Sequence, residues 1–490
     1  MKNSSKIFLA ILFSSFLAIF FLFLKPPTDP DLFWHLRYGE EILKTYKIPY
    51  ENHFSFTFLG YRAADSWWLS EVLIFWLVSK TGFFLPTLLF AALGAVTFLA
   101  VGFWARVGKA SAGAISGAAF FGAFVSWQIL GLRPQTISLA LLGLVFILLH
   151  QFWLGKRVKL IFFLPLIFIL WANLHTGFAL GLILIWLFWS LELSRILIQK
   201  YFKLPKLEFP QLTPSRLKLL LGINALSTLG TLVNPYGIGL WQTIFNDAAS
   251  PKIKNEILEW LAPNFHSELG LLFLFYLFIL VVLAWRTKIK IHPTRFLILG
   301  TFCFLALAAV RHISVFVLLA TPLLAEELSL LPWKKFAFPY KNLALALFFL
   351  TFALVWAWQF FPRTFKATRS GRNLAIIGGY PYEAVEYLKK HPQKRIFNEY
   401  GWGGFLIWQL PQGKTFIDGR MPGWRKDGRE IFGDYIKVVD LEKDLQEVLD
   451  FWAVETFLIS PDTPLAQYLK IHSDWEERYR DETAVIFARR

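Results

Sequence analysis

Ile7-Phe8-Leu9-Ala10-Ile11-Leu12-Phe13 opens an uncharged run that lasts to Leu24, and Thr28-Asp29-Pro30-Asp31-Leu32-Phe33-Trp34-His35-Leu36 follows almost at once. Residues 7–24 approach the ~20 apolar residues that carry a helix across a bilayer. Two carboxylates and an imidazole therefore stand where the chain leaves a membrane, a position suited to a base acting on a substrate held at the lipid surface. Lys25-Pro26-Pro27 ends the run without a small-residue cleavage pattern, so residues 1–24 are expected to stay as an anchor rather than be removed as a signal peptide.

The rest of the chain fits this start. Of its 490 residues 56% are hydrophobic and only 17% charged, where a soluble protein carries about a quarter charged residues. Apolar runs recur from residue 7 to residue 361, so the fold class is a polytopic α-helical membrane protein. Candidate spans are 7–24, 83–105, 112–130, 134–153, 160–173, 176–194, 218–233, 268–285, 296–310, 312–326 and 341–361. With these eleven, the basic clusters at Lys2/Lys6, Arg106/Lys109, Lys156-Arg157-Val158-Lys159, Arg195 to Lys218, Arg286 to Arg295 and Lys334/Lys335/Lys341 fall on the side of the N-terminus. That side is then cytoplasmic, and the chain after Pro362 lies outside. The net charge of +16 follows mainly from these loops, with a smaller share available to anionic lipid head groups or a lipid phosphate. Nucleic acid is not an expected partner, because no basic stripe with exposed aromatics stands outside the apolar segments. The single cysteine, Cys303, rules out an intrachain disulfide.

Trp67-Trp68-Leu69-Ser70-Glu71-Val72-Leu73-Ile74-Phe75-Trp76-Leu77-Val78 is too short to span upright and carries Glu71, so it is expected as an interfacial or re-entrant helix. Counting it as a span would turn the basic loops outward. Under the eleven-span arrangement Asp29, Asp31, His35, Glu71, Arg133, Asn173, His175, Asn234, Glu259, Arg311 and His312 collect on the outer face. Polar groups at such depth are costly and tend to be functional.

Each group has a structural alternative. Asp29 before Pro30 makes a good helix start, which accounts for one aspartate; the other, with His35 one turn on from Asp31, offers an acid/base or metal-binding face. Arg133-Pro134-Gln135 either snorkels to head groups or clamps the phosphate of a lipid-linked substrate. Trp171-Ala172-Asn173-Leu174-His175-Thr176-Gly177 is a tight turn or the tip of a polar cavity. Arg311-His312 is a lipid anchor or part of an anion site. Asn234-Pro235-Tyr236-Gly237 has the composition of a turn, and Glu259-Trp260 pairs an interfacial carboxylate with an aromatic anchor. No nucleotide loop, zinc-spaced Cys/His set or nucleophile elbow is present; the glycines at 401, 403 and 404 suit a strand-to-helix turn.

Residues 363–490 change in composition and form a separate small α/β domain, beside a transmembrane domain over 1–362 whose first outer loop is 25–82. Predicted strands are Arg395-Ile396-Phe397-Asn398, Lys414-Thr415-Phe416-Ile417, Thr456-Phe457-Leu458-Ile459 and Ala484-Val485-Ile486-Phe487, with helices near 382–390, 404–409 and 441–450. Asp418-Gly419-Arg420 falls past a strand end, either as a ligand contact or as a turn with an internal Asp–Arg pair.

In this order, Asp29 to Leu36, Arg133-Pro134-Gln135, Trp171 to His175, Asn234 to Gly237 and Asp418-Gly419-Arg420 resemble the GT-C superfamily of polyprenyl- or dolichyl-phosphate-sugar glycosyltransferases. The likeness is nearest to a prokaryotic group of GT-C-like membrane proteins and covers nearly the whole chain. It implies a base at Asp31, with Asp29 second, a lipid-linked sugar donor, a glycan, lipid or protein acceptor entering from the outer face, and substrate contacts among His35, Arg133, Asn173, His175, Glu259, Arg311 and His312. Leu32 stands where many members carry a second acidic residue, so no metal is required, while a divalent ion stays compatible. The rival from another class is a non-enzymatic transporter or a scaffold that recruits partners through residues 363–490.

Overall fold

Every predicted apolar segment is long enough to close its own backbone hydrogen bonds, as hydrocarbon surroundings demand, and in the computed structural model each is a helix. The structure describes residues 2–104, 106, 110–203, 210–332 and 340–490. Among the described residues, seven helices have the length and composition to cross a membrane: Lys6–Phe23, Phe84–Trp104, Pro134–Trp153, Phe178–Tyr201, Glu268–Thr287, Val310–Leu330 and Asn342–Thr368. Ala112–Ser126, Val158–Leu174 and Pro293–Ala308 are shorter and apolar, and Pro214–Gly230 covers most of the remaining predicted segment. The protein is a multi-pass membrane protein.

The chain folds as two units. The first comprises Met1–Lys25, Thr87–Gly237 and Leu258–Arg363. Its axis is the helix Ile313–Leu330, buried along almost its whole length. The small-residue helix Ala112–Ser126 lies against it: a Cβ on Gly122 would come within 3.0 Å of Thr321 Oγ1 and 3.1 Å of Val317. Such close approach substitutes for the hydrophobic driving force that helices lack in lipid. Glu268–Thr287 and Lys341–Thr368 expose most of their apolar surface, as lipid-facing helices do.

The second unit comprises Pro26–Pro86, Ile238–Ile257 and Thr364–Arg490. Its sheet has four strands in the spatial order Ile396–Asn398, Thr456–Ile459, Val485–Arg489, Trp475–Arg480. The first pair is parallel and the other two antiparallel. The predicted strand Lys414–Ile417 is not one. Only Thr415 forms isolated bridges, to Ser55 and to Ile396, and the Thr415 amide donates to the Phe54 carbonyl while its carbonyl accepts from the Phe56 amide. The loop after the first helix is thus sewn to the C-terminal sheet, and Phe58 joins the core of Phe397, Phe416, Trp452 and Phe457. Trp68–Thr81 is a 14-residue helix, about 21 Å long against ~30 Å of hydrocarbon.

Candidate functional site

The aspartates divide the work that either could do at a helix start. Asp29 Oδ1 accepts the Asp31 amide at 3.0 Å, and the Asp29 carbonyl accepts the Leu32 amide. Asp31 stands at the N-cap of Leu32–Thr45 without a side-chain capping bond. Its Oδ1 instead accepts the indole N–H of Trp34 at 2.9 Å. Both carboxylates are half-buried. An oriented, partly accessible carboxylate is what a general base requires.

Around Asp31 the second unit packs tightly. Gly419, in the middle of Asp418-Gly419-Arg420, sits so close that a Cβ there would lie 2.0 Å from Asp31 Oδ1. Gly404 approaches Pro30 in the same way, with a virtual Cβ 2.5 Å from the Pro30 carbonyl oxygen. Phe33 packs edge-on against Tyr380 and Phe405, and the Tyr380 hydroxyl donates to the Thr28 carbonyl at 3.0 Å. The turn is held by the buried Arg420, whose Nε and Nη2 form a fork on Asp418 at 2.6 and 2.7 Å. Two further hydrogens go to the Tyr38 hydroxyl and to Asn52 Oδ1 at 3.1 Å. Of the two readings of this motif, the turn with an internal Asp–Arg pair is present, and it places a glycine against Asp31.

His35 is buried under the Trp34 ring, 3.7 Å between centres, with Nδ1 3.0 Å from Glu71 Oε1. Gly39 lets this helix cross the next one closely; a Cβ there would be 2.2 Å from the Glu71 carbonyl oxygen. Burial, and then the neighbouring Asp65 carboxyl, push Glu71 well above the usual carboxylate range; burial also raises Asp65. In the sequence Glu71 stands out as a charge in an apolar stretch and Trp34 lies inside the Asp29–Leu36 motif, whereas Asp65 and Asn52 carry no signal of their own.

The first unit holds a cationic group. Arg133 Nη2 donates to Glu259 Oε1 at 2.8 Å and Nη1 to the Ile129 carbonyl. Arg311 lies over the Trp260 ring, 4.5 Å from its centre, and the Val310 amide donates to the Leu261 carbonyl, tying the two turns together. Burial alone would raise the Glu259 carboxyl, but Arg133 and Arg311 hold it below its usual range. His175 is buried, and burial followed by the Arg311 and Arg133 charges lowers it to about 3. Its Nδ1 accepts the Gly177 amide at 2.8 Å. Asn173 Nδ2 donates to the Ile169 and Val233 carbonyls, and His312 Nδ1 is 3.2 Å from the Leu305 carbonyl. Asn234 closes its own turn, accepting the Tyr236 amide and donating to Gly237. Among the described residues no three His, Cys, Asp or Glu side chains are grouped to hold a metal ion.

No protein-family model matches the chain, and no curated protein matches it by sequence. Solved structures do match. The oligosaccharyltransferase of Archaeoglobus fulgidus in its apo form aligns over 99% of this chain and 74% of its own, at 14% identity and a TM-score of 0.52. With a tethered acceptor peptide carrying an NVT sequon, the same protein gives a TM-score of 0.54 at the same identity and coverage. The fold is GT-C-like. A third structure, AglB from the same organism with an inhibitory peptide and a dolichol-phosphate, aligns with a TM-score of 0.50 and 12% identity over the same shares.

Proposed function

We propose that the protein is a membrane glycosyltransferase that moves a sugar from a polyprenyl-phosphate donor to an acceptor at the outer face of the cell membrane. The observation that carries the reading is Asp31: a half-buried carboxylate oriented by Trp34 at the first helix start after the membrane anchor. The likeness of fold to an oligosaccharyltransferase over 99% of the chain supports it.

In this reading Asp31, with Asp29 as the second candidate, takes the proton of an acceptor hydroxyl as its oxygen attacks the anomeric carbon. The bond from that carbon to the phosphate oxygen breaks, and polyprenyl phosphate leaves with the electron pair, inverting the configuration. Arg133 or Arg311 meets the charge that develops on the leaving phosphate; fixed cations of this kind act most where charge appears in the transition state. Glu259 orients Arg133, Asn173 and His175 brace the turn before Gly177, and His312 braces the turn that carries Arg311. His35, held by Glu71, is a positioning residue beneath Trp34. A divalent ion is compatible with this scheme and no step depends on one.

All eleven apolar helices are taken to cross the membrane, with a cytoplasmic N-terminus and residues 363–490 outside; the consistent placement of the basic loops supports this orientation. The test is label transfer from a panel of radiolabelled polyprenyl-phosphate sugars in membranes with and without the protein. A labelled product that depends on the protein supports the reading. Release of free sugar alone, with no acceptor labelled in native membranes, contradicts transfer.

A further inference from the structure

A basic edge follows the last membrane helix, and the proposed reaction makes no use of it. Arg363, Lys366, Arg369 and Arg372 fall within ten residues, and the next carboxylate in the chain is Glu383. In the proposed orientation the basic loops between spans are cytoplasmic, as the positive-inside rule asks, whereas this cluster is outside. Retention in the cytoplasm therefore does not account for it.

The helix Lys341–Thr368 shows which way these side chains face. Leu347, Leu354, Trp358 and Phe365 are exposed and follow one another at spacings of seven, four and seven residues, which puts them on one stripe. Trp358 is 86% exposed. Arg369, eleven residues past Trp358, continues the stripe with its guanidinium 5.6 Å from the centre of the Phe365 ring. Lys366 is exposed as well, ~12 Å along the axis from Trp358. The lipid-facing stripe thus ends in cations.

A second segment repeats the pattern. Phe84 packs edge-on against Phe365, 5.4 Å between ring centres, and Lys80 stands four residues before Phe84, within ~14 Å of extended chain. On the helix Trp68–Thr81, Leu73, Trp76 and Lys80 are exposed at spacings of three and four and share one face. On the short helix Gly371–Gly378, Arg372 and Ile376 are exposed four residues apart. Arg372 is shared with Glu383 at 2.6 Å, but among the described residues no carboxylate pairs with Lys80, Lys366 or Arg369.

We infer that Lys80, Lys366, Arg369 and Arg372, all of the second unit, form a docking edge for the head groups of anionic glycerophospholipids. Trp76 and Phe365 sit among the acyl chains beneath. Two features favour a lipid surface over a single enclosed ligand. The cations are exposed along an open edge, and each segment that carries one also exposes apolar side chains. Lys and Arg stems can rest on apolar surroundings while their charges reach the phosphates. Each such cation strengthens binding to an anionic surface roughly fivefold. That these head groups belong to the outer leaflet rests on the orientation proposed above.

The full-length protein with Cys303→Ser and Ile376→Cys, purified in detergent, carries an environment-sensitive fluorophore on the new thiol and so reports this edge locally. It is titrated with dioleoylphosphatidylglycerol and, separately, with dioleoylphosphatidylcholine. The phosphatidylglycerol is expected to half-saturate the emission change at a concentration at least tenfold lower. Lys80→Gln, Lys366→Gln and Arg369→Gln together are expected to weaken phosphatidylglycerol at least tenfold and to leave phosphatidylcholine within twofold. Lys426→Gln, Lys443→Gln and Lys470→Gln remove the same charge from exposed positions of the C-terminal domain and are expected to change either lipid less than twofold. Equal half-saturation by the two lipids, or equal losses in the two triple variants, overturns the proposal. Displacement of the lipid by millimolar inorganic phosphate overturns the lipid assignment in favour of a soluble anion. Polyprenyl phosphate bound at least tenfold more tightly than phosphatidylglycerol overturns the choice of glycerophospholipid. The titration requires neither sugar transfer nor a fixed orientation, so its outcome is separate from that of the label-transfer test.

Discussion

Gly419 and Asp31 are more than 380 residues apart in the sequence, yet a single methyl group on Gly419 would stand 2.0 Å from the Asp31 carboxylate oxygen. The same virtual atom would be 3.3 Å from the Trp34 indole nitrogen that holds this carboxylate. Gly419 has no left-handed backbone torsion, so its small size serves the contact rather than the turn.

Replacing Gly419 by alanine should therefore act on Asp31 rather than on folding. The carboxylate is the tip of a side chain and can swing aside, which removes it from its indole donor. Sugar transfer should fall at least tenfold, with the thermal midpoint of the detergent-purified protein within a few degrees of wild type. Gly403→Ala supplies the contrast: its Cβ would meet the Ile417 carbonyl oxygen at 2.3 Å and the Asp418 Cα at 2.7 Å. Backbone cannot swing aside in the same way, so that variant should lose stability first.

Trp34→Phe tests the donor alone. The ring still covers His35, but the bond to Asp31 is gone. Hydrogen bonds to charged groups contribute about 1.5–3 kcal/mol, which corresponds to roughly a 10- to 100-fold slower reaction if the bond acts in the transition state. Steady-state kinetics should show kcat falling while KM for the lipid-linked donor changes little. A change confined to KM contradicts the positioning role.

Arg420 is a stability element. Its fork on Asp418 and its bonds to Tyr38 and Asn52 use donors that a lysine ammonium cannot place in one plane. Breaking a buried ion pair costs about 3–5 kcal/mol, so Arg420→Lys should lower the unfolding midpoint by many degrees. An unchanged midpoint shows that the turn is held by something else.

His175 predicts an acid-sensitive fold. Its folded value of about 3 lies below the ordinary 6.5, so the unfolded chain takes up a proton that the folded one refuses. The stability is present above pH 6.5 and is lost as the pH falls from there toward 3, by up to ~1.4 kcal/mol per pH unit. Protonation would also remove the acceptor that the Gly177 amide uses. Thermal midpoints at pH 7.5 and pH 5 should differ clearly less in His175→Gln than in wild type, and equal differences contradict this assignment.

The sequence makes the helices legible because each carries its own signal. All eleven apolar segments coincide with helices, and so does Trp67–Val78, which falls almost wholly within Trp68–Thr81. Thr456–Ile459 is a strand over the residues expected, being an apolar run buried on both faces. Trp475–Arg480 is missed because it is an edge strand whose Glu-Glu-Arg-Tyr-Arg side chains are mostly exposed, so no alternation marks it. Lys414–Ile417 fails in the opposite sense. Its apolar residues are buried as a strand's would be, but pairing stops at single bridges from Thr415, one to Ile396 and one to Ser55, in a loop that local pattern cannot connect to it. The site shows the same division. Asp31 and Arg133 are visible as charges beside apolar runs, whereas the contact of Gly419 with Asp31 and the pairing of His35 with Glu71 exist only once distant segments pack together.

The central claim is that Asp31 is the base of a sugar transfer from a lipid-linked donor, and the most direct test is the initial rate in proteoliposomes of wild type, Asp29→Asn and Asp31→Asn at equal abundance. The account predicts that Asp31→Asn loses at least 100-fold in kcat while it folds normally and still binds donor, and that Asp29→Asn, which alters the helix start, loses less. Transfer at the wild-type rate in Asp31→Asn would contradict it.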